Sequence, residues 1–565
     1  MTTFRDFTYV RPDMKELEPR FRELVASFSA AGSVEAQNGF MASINDLRSH
    51  IESMQAIVGI RHTIDTEDAF YDQENDYMDE MEPVYEGLKS EYYRALLASP
   101  FRAELESRWG SQLFRLADMQ MKTFSPEVME DLQTENRLSS EYVKLKASAR
   151  IPFEGEERNL AQMTPFTESA DRSTRERAHK AMSGFFAANA GEFDRIFDEL
   201  VHIRDRIAVK LGFPNFVPLA YARLGRSDYD ASMVARYRRQ VYESIVPLSR
   251  KLRKRQAARL GLQALKFHDE SLEFLSGNAT PKGDPAWIIA RGREMYAAMS
   301  PETDEFFRYM LDRGLLDLET RKGKAGGGYC EYIDSEKSPF IFSNFNGTSG
   351  DVDVLTHEAG HAFQCFRSRQ FSMPEYHWPT LEACEIHSMS MEFFAWPWMK
   401  DFFGPDVDKY KFAHLSGALL FVPYGVAVDE FQHWVYENPE AGPAGRRAAW
   451  SSIEKKYLPH RDYGDDEFLS SGGFWYRQGH IFEDPFYYID YTLAQVCAFE
   501  FWGKSMTDRK AAWAEYLGLC GLGGSKPFTG LLDAANLSNP FTDGTIARIV
   551  APIETWLDGV DDSAL

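Results

Sequence analysis

Cysteine is scarce in this chain and unevenly placed. The five thiols, Cys330, Cys365, Cys384, Cys497 and Cys520, form no CxxC pair and no spacing typical of a disulfide framework. An odd, scattered set points to reduced thiols in a reducing compartment. Long apolar runs are also missing: nothing approaches the roughly 18 continuous apolar residues of a membrane span. The first twenty residues, MTTFRDFTYVRPDMKELEPR, lack the apolar centre of a secretory leader. A cytoplasmic protein with no membrane partner is expected. Basic charge is in deficit too, with 63 Lys and Arg against 86 Asp and Glu for a net charge of −23. Such a field repels phosphate backbones and disfavours a nucleic-acid partner. The one basic run, Arg250-Lys251-Leu252-Arg253-Lys254-Arg255, lacks interleaved aromatics and reads as a solvated helix face.

What is present suits a large globular protein. Hydrophobic residues make up 44% and aromatics 14% of 565 residues, enough for more than one hydrophobic core. The first 150 residues read as successive amphipathic helices, with apolar residues three and four apart in MKELEPRFRELVASFSAA and MEPVYEGLKSEYYRALLASP. An irregular stretch from Ile151 to about Glu168 could link two helical blocks, dividing the chain into an N-terminal helical region, 1–165, and a second region, 166–565. One segment breaks the helical habit. Gly326-Gly327-Gly328-Tyr329-Cys330-Glu331-Tyr332 and Phe340-Ile341-Phe342-Ser343-Asn344-Phe345 predict a short β-hairpin whose edge can receive an extended peptide as an added strand.

Directly after it comes HEAGH, His357 to His361. Histidines four apart share a helix face and can grip one zinc ion, while Glu358 is placed to act on a water molecule. Thr348-Ser349-Gly350-Asp351 offers a hydroxyl cap and an early acid for that helix. Leu355, Ala359, Ala362 and Phe366 centre on one side of it and the two histidines lie roughly opposite, which suits a cleft better than a core. A catalytic zinc needs a third protein ligand. Gln364 and Arg367 stand where a glycine and a third histidine would extend the motif, so the ligand must come from elsewhere. The segment Thr380–Ala395 carries Glu382, Glu385 and Glu392 on one face, one to bind metal and another to orient a ligand from behind. Its His387 falls on the apolar stripe and reads as a core histidine, and Cys365 and Cys384 read as small buried hydrophobes.

GGGYCEY, PFIFSNFNGTSGDVDVLTHEAGHAF and EIHSMSMEF together resemble the thimet oligopeptidase family, in particular its oligoendopeptidase F and Pz-peptidase branch. The likeness extends through PEVMEDLQTENRLSSEY, DRSTRERAHKAMSGFF and LVHIRDRIAVKLGFPNF to about four-fifths of the chain. It implies a mainly α, two-lobed metallopeptidase enclosing a deep channel, with a small β-hairpin or sheet beside the active site. Residues 166–565 would be the catalytic domain, one Zn2+ the cofactor and oligopeptides the substrates. By position, His357, His361 and Glu385 match the metal ligands, Glu358 the general base and Glu392 the supporting glutamate. Gly326, Gly327, Gly328 and Tyr329, on the predicted strand edge, are expected to hold the substrate backbone. After the glycines of Ser470–Gly473, His480 and Tyr491 match the groups that stabilise the oxyanion and bind substrate. Tyr488 is placed with them, and Tyr487 could take its position. Those glycines suggest a loop that closes on substrate. The rival activities are a carboxypeptidase or dipeptidyl carboxypeptidase on the same scaffold. From another class, a helical binding protein could retain the motif without catalysis.

Overall fold

A computed structural model describes residues 2–565 of the chain. The expected helices form: Met14–Ala30, Val34–Ile64 and Ala69–Leu97 open the molecule, each started by a side chain that accepts from its first turn, Asp13, Ser33 and Asp68. One hydrophobic core runs from Phe4 to Leu557 through helices of both halves. The mainly α reading holds among the described residues, with two small sheets set among long helices.

Three local expectations change. The irregular stretch after residue 150 is a tight hairpin, Ile151–Phe153 against Glu156–Arg158. Its turn takes left-handed Glu154 and Gly155, and Ile151 and Phe153 pack with Met163 and Ala178 in a satellite cluster. Strands of three residues carry too little alternation to be read from sequence. The basic run is not a solvated face: on the helix Ala231–Arg259, Lys251 meets Glu554 and Asp558, Arg255 meets Asp562, and Arg253 meets Glu270. It pins the C-terminal helix Thr545–Asp558. The predicted hairpin, finally, is part of a three-stranded sheet. Tyr329–Ile333 pairs antiparallel with Ser338–Phe345, and Leu316–Glu319 adds a parallel strand on the far side of the latter. Leu316–Glu319 has only four residues, LDLE, and its partner lies more than twenty positions on, which no local pattern reveals. Tyr329–Ile333 is therefore a free sheet edge.

The most apolar helical stretch, within Leu381–Glu437, has a mean hydropathy of 1.3 and is 61% buried. It is divided among the helices Leu381–Phe394, Met399–Phe403 and Val407–Glu437.

Candidate metal centre and active site

The motif helix, Gly350–Ser368, begins without the hydroxyl cap expected at Ser349. Instead Asp351 reaches back and accepts from the backbone N–H groups of Asn346 and Gly347, both at 2.8 Å. This fixes the turn that brings the chain from the central strand into the helix. The glutamate helix, Leu381–Phe394, crosses the motif helix at Gly360. A Cβ there would lie 2.6 Å from the carbonyl oxygen of His387 and from Cα of Ser388. The central glycine of HEAGH therefore lets two backbones touch, and the close crossing puts Glu385 opposite the histidines.

The histidine rings lie 5.1 Å apart and nearly perpendicular. Glu385 Oε2 is 3.2 Å from Nε2 of His357 and 3.5 Å from Nε2 of His361. One donor atom from each of the three residues falls within 4.8 Å of the others. Glu382 is not part of this group. Behind His357, Glu392 Oε1 sits 2.7 Å from Nδ1, whereas Nδ1 of His361 is buried without a partner. Burial disfavours charge on His357, but Glu385 and Glu392 outweigh it and hold its pKa well above that of a free histidine. Glu385 is buried as well, yet His361 and His357 hold it well below the usual carboxylate range. Such a concentration of anionic oxygen and imidazole nitrogen around one point is satisfied by a cation.

Glu358 is buried, and its Oε2 has no hydrogen-bond partner. Burial raises its pKa while His357 and His361 pull it back. Gly328 faces it: a Cβ at that position would stand 3.6 Å from Glu358 Oε1 and 3.5 Å from the carbonyl oxygen of Phe342. The glycine lead-in is pinned, since Asn344 Nδ2 donates to the carbonyls of Ala325 and Gly327 at 2.8 and 2.9 Å. Tyr329 stacks on Phe342 and its hydroxyl meets Thr63 of an N-terminal helix at 2.5 Å. A cavity of about 500 Å³ runs along this edge, between Tyr329, Glu331 and Tyr332 on one side and Glu52, Ile60 and Thr63 on the other.

Across the site, the rings of Tyr487, Tyr488 and Tyr491 lie 5.6, 4.9 and 5.8 Å from that of His480. It is Tyr487, held in the sequence reading only as a substitute for Tyr488, whose hydroxyl donates to Glu385 Oε1 at 3.1 Å. Tyr488 packs against Phe421 and Tyr424. Burial lowers the pKa of His480, which favours the neutral ring. Gln478 binds its Nδ1 at 2.9 Å with the amide nitrogen, the amide oxygen being taken by Tyr424. The remaining proton of His480 is therefore on Nε2. The glycines upstream are used for packing: a Cβ on Gly472 would stand 2.1 Å from the carbonyl oxygen of Arg447, and one on Gly473 would enter the Phe468 ring. Their presence thus has a static reason, separate from the loop closure they suggested.

His387 is fully buried with its carbonyl bonded to Tyr516, in the core as its stripe implied. Cys365 and Cys384 are buried and unpaired. Two groups escaped the sequence reading. His414, on the helix Val407–Glu437, binds the second oxygen of Glu392 at 2.7 Å. Arg226, in the loop before the helix Ala231–Arg259, donates to the carbonyl of Phe486 and to Asp490 Oδ1, both at 2.6 Å. The carbonyl it holds belongs to a residue with left-handed backbone, φ 72°, directly before the tyrosines. Neither His414 nor Arg226 stands in a recognisable spacing to the motif, so no local signal could have found them.

A helical protein that sets both histidines of an HExxH helix and a glutamate of the next helix around one point has the donor set of a metallopeptidase. The model of the Peptidase M3 N-terminal domain matches residues 4–124, and that of Peptidase family M3 matches residues 301–550. The chain belongs to peptidase family M3. A solved putative oligoendopeptidase F is 61% identical, with all of both chains covered and a TM-score of 0.96. Pz peptidase A, solved with an inhibitor, is 59% identical over 99% of this chain and 100% of its own, with a TM-score of 0.95. A putative oligoendopeptidase F from Bacillus anthracis is 54% identical over the whole of both chains, with a TM-score of 0.91. No curated protein matches the chain.

Proposed function

We propose that this protein is a cytoplasmic zinc-dependent oligoendopeptidase that hydrolyses internal bonds of short, unstructured peptides. The observation that carries the reading is the convergence of His357 Nε2, His361 Nε2 and Glu385 Oε2 beside the unbonded Oε2 of Glu358, below a free strand edge. Two imidazoles and one carboxylate fit zinc, and they leave a position open for water. Zinc held there would polarise the scissile carbonyl and acidify the attacking water.

The chain's own residues do the rest. The edge strand Tyr329–Ile333 and its glycine lead-in, Gly326–Gly328, hold the substrate backbone as an added strand, with Gly328 keeping the space in front of Glu358 clear. Glu358 takes the proton of the attacking water and returns it to the leaving amine nitrogen. His480, through its Nε2–H, and Tyr491 donate to the carbonyl oxygen as it gains charge. Tyr488 forms the wall behind His480. Glu392 orients His357. The helices before residue 165 act as the cover over the catalytic region 166–565, a role supported by the Thr63–Tyr329 contact and the buried Arg48–Glu375 ion pair.

The deciding experiment uses an internally quenched peptide blocked at both ends. Wild-type protein should cleave it, whereas a carboxypeptidase or dipeptidyl carboxypeptidase would not. Glu358→Gln should keep about one zinc per chain while losing hydrolysis by roughly 10²–10⁴-fold, the range for a general base. Undiminished hydrolysis by this variant would refute the base assignment. Absence of both zinc and hydrolysis in the wild type would favour a non-catalytic binding protein.

A further inference from the structure

Beyond Glu392, the hydrogen bonds continue outward. Glu392 Oε2 lies 2.7 Å from His414 Nε2, and His414 Nδ1 lies 3.2 Å from the indole Nε1 of Trp396. Trp396 opens the short turn Trp396–Trp398 that follows the glutamate helix, so it is tied to the same element as Glu385 and Glu392. The His414 ring is otherwise enclosed by Phe393 at 4.9 Å and Tyr410 at 5.5 Å, and its side chain is 8% exposed. The nearby carboxylate of Asp353 is engaged by the Tyr410 hydroxyl at 2.6 Å.

The polarity of this chain is fixed at its outer end. An indole N–H can only donate, so Nδ1 of His414 must accept and its proton sits on Nε2. That proton is donated to Glu392 Oε2. Glu392, with both oxygens accepting, takes the Nδ1–H of His357 on Oε1. With Nδ1–H committed to Glu392, the nitrogen of His357 that can give up its proton to bind a metal is Nε2, which faces Glu385 and His361. Each step dictates the next, beginning from the one group that cannot change its role.

We propose that Trp396 and His414 are positioning residues that hold His357 in its metal-binding tautomer and so set the zinc affinity of the site. The proposal rests on zinc being held by His357, His361 and Glu385. It assigns the tuning to one histidine only, because His361 Nδ1 has no partner to supply the same support. Loss of the outer chain therefore cannot be compensated from the other ligand. A histidine buried merely to fill space among Phe393, Trp396 and Tyr410 would be replaceable by phenylalanine with no effect on metal.

The test measures the zinc dissociation constant of the full-length protein by competition with a chromophoric chelator. His414→Phe keeps the ring and removes the donor, and should weaken zinc about 10- to 100-fold, as removal of an outer-shell partner does. Trp396→Phe should weaken it less, since His414 can still bind Glu392 but is free to choose its tautomer. His414→Gln, which keeps a donor toward Glu392 and an acceptor toward Trp396, should recover most of the affinity lost in His414→Phe. Melting of the metal-free variants separates this from misfolding: the ordering of zinc affinities should not follow the ordering of apo-protein melting temperatures. Wild-type affinity in His414→Phe and Trp396→Phe would overturn the proposal alone. Affinity losses that simply track apo stability, with no recovery in His414→Gln, would also overturn it. A wild type that binds no zinc would overturn the underlying site reading, and the proposal with it.

Discussion

On one flank of the glutamate helix, Glu385 and Glu392 face His357, His361 and His414, and all four of their carboxylate oxygens have a named partner at 3.2 Å or less, counting Ser388 and Tyr487 on Glu385. On the other flank, Glu382 lies near Arg226 and Asp490, and both of its oxygens are buried without a partner. Asp490 Oδ2 and two nitrogens of Arg226 are unpaired as well. One helix thus carries two buried polar clusters wired in different ways. The first pairs its carboxylates with imidazoles. The second has a permanent cation, and is short of hydrogen bonds. Burial pushes up the carboxyls of both Glu382 and Asp490. One guanidinium, held by Asp490 at 2.6 Å, cannot neutralise two carboxylates, so the pair as a unit keeps a proton more readily than either acid does in water. Position next to a histidine pair or next to an arginine, and not the residue type, separates a candidate metal ligand from a structural acid.

The contrast breaks most severely at Glu385. Glu385→Ala should lose stoichiometric zinc and peptidase activity together, whereas Glu382→Ala should keep its zinc; the reverse result, read by metal analysis of the purified variants, would exchange their roles. Next comes Arg226. Arg226→Met leaves the buried Asp490 without its partner, and should cost about 3–5 kcal/mol of stability, seen as a lowered melting temperature. The double variant Arg226→Met, Asp490→Leu should regain part of that loss, because the pair is then removed whole. An intermediate effect is expected at Tyr487. Tyr487→Phe removes a hydrogen bond to a charged carboxylate, worth about 1.5–3 kcal/mol, and should weaken zinc accordingly while leaving the fold intact. Equal zinc affinity would mean that the Tyr487 contact does not bear on the ligand set.

The smallest effect sharpens the second cluster. Since Glu382 is protonated more readily in the folded chain than in the unfolded one, the folded state holds the extra proton. Its contribution to stability is present at acid pH and is lost as pH rises through the elevated pKa. Glu382→Gln carries a permanent neutral group of the same shape. It should change the melting temperature little near neutrality and flatten that part of the pH dependence, which a melting series across pH would reveal.

Much of the site was legible in sequence because its chemistry is local to two helices. His357 and His361 are four apart, and Glu385 and Glu392 seven apart, so helical geometry alone puts each pair on one face. The glutamates at 382 and 385, however, differ by only about 60° around the helix, and periodicity could not choose between them. The resemblance to relatives made the choice, and in the structure it is the crossing at Gly360 that turns Glu385 toward the histidines. Tyr487 and Tyr488 posed the same kind of problem. They are adjacent, and the left-handed backbone at Phe486, held by Arg226 and by Gln432, which binds its N–H at 2.8 Å, decides which hydroxyl reaches Glu385. The parallel strand Leu316–Glu319 and the hairpin after residue 150 escaped because strands of three or four residues have almost no period to read.

By itself, then, the sequence determined the mainly helical architecture, the HEAGH face, the candidate glutamates and the edge strand beside them. All of these are patterns repeated within one or two turns of chain. Only the tertiary structure decided which acid meets the imidazoles, which tyrosine meets that acid, and that His414 and Trp396 stand behind His357. These are contacts between side chains far apart in sequence, and packing alone brings them within hydrogen-bonding distance.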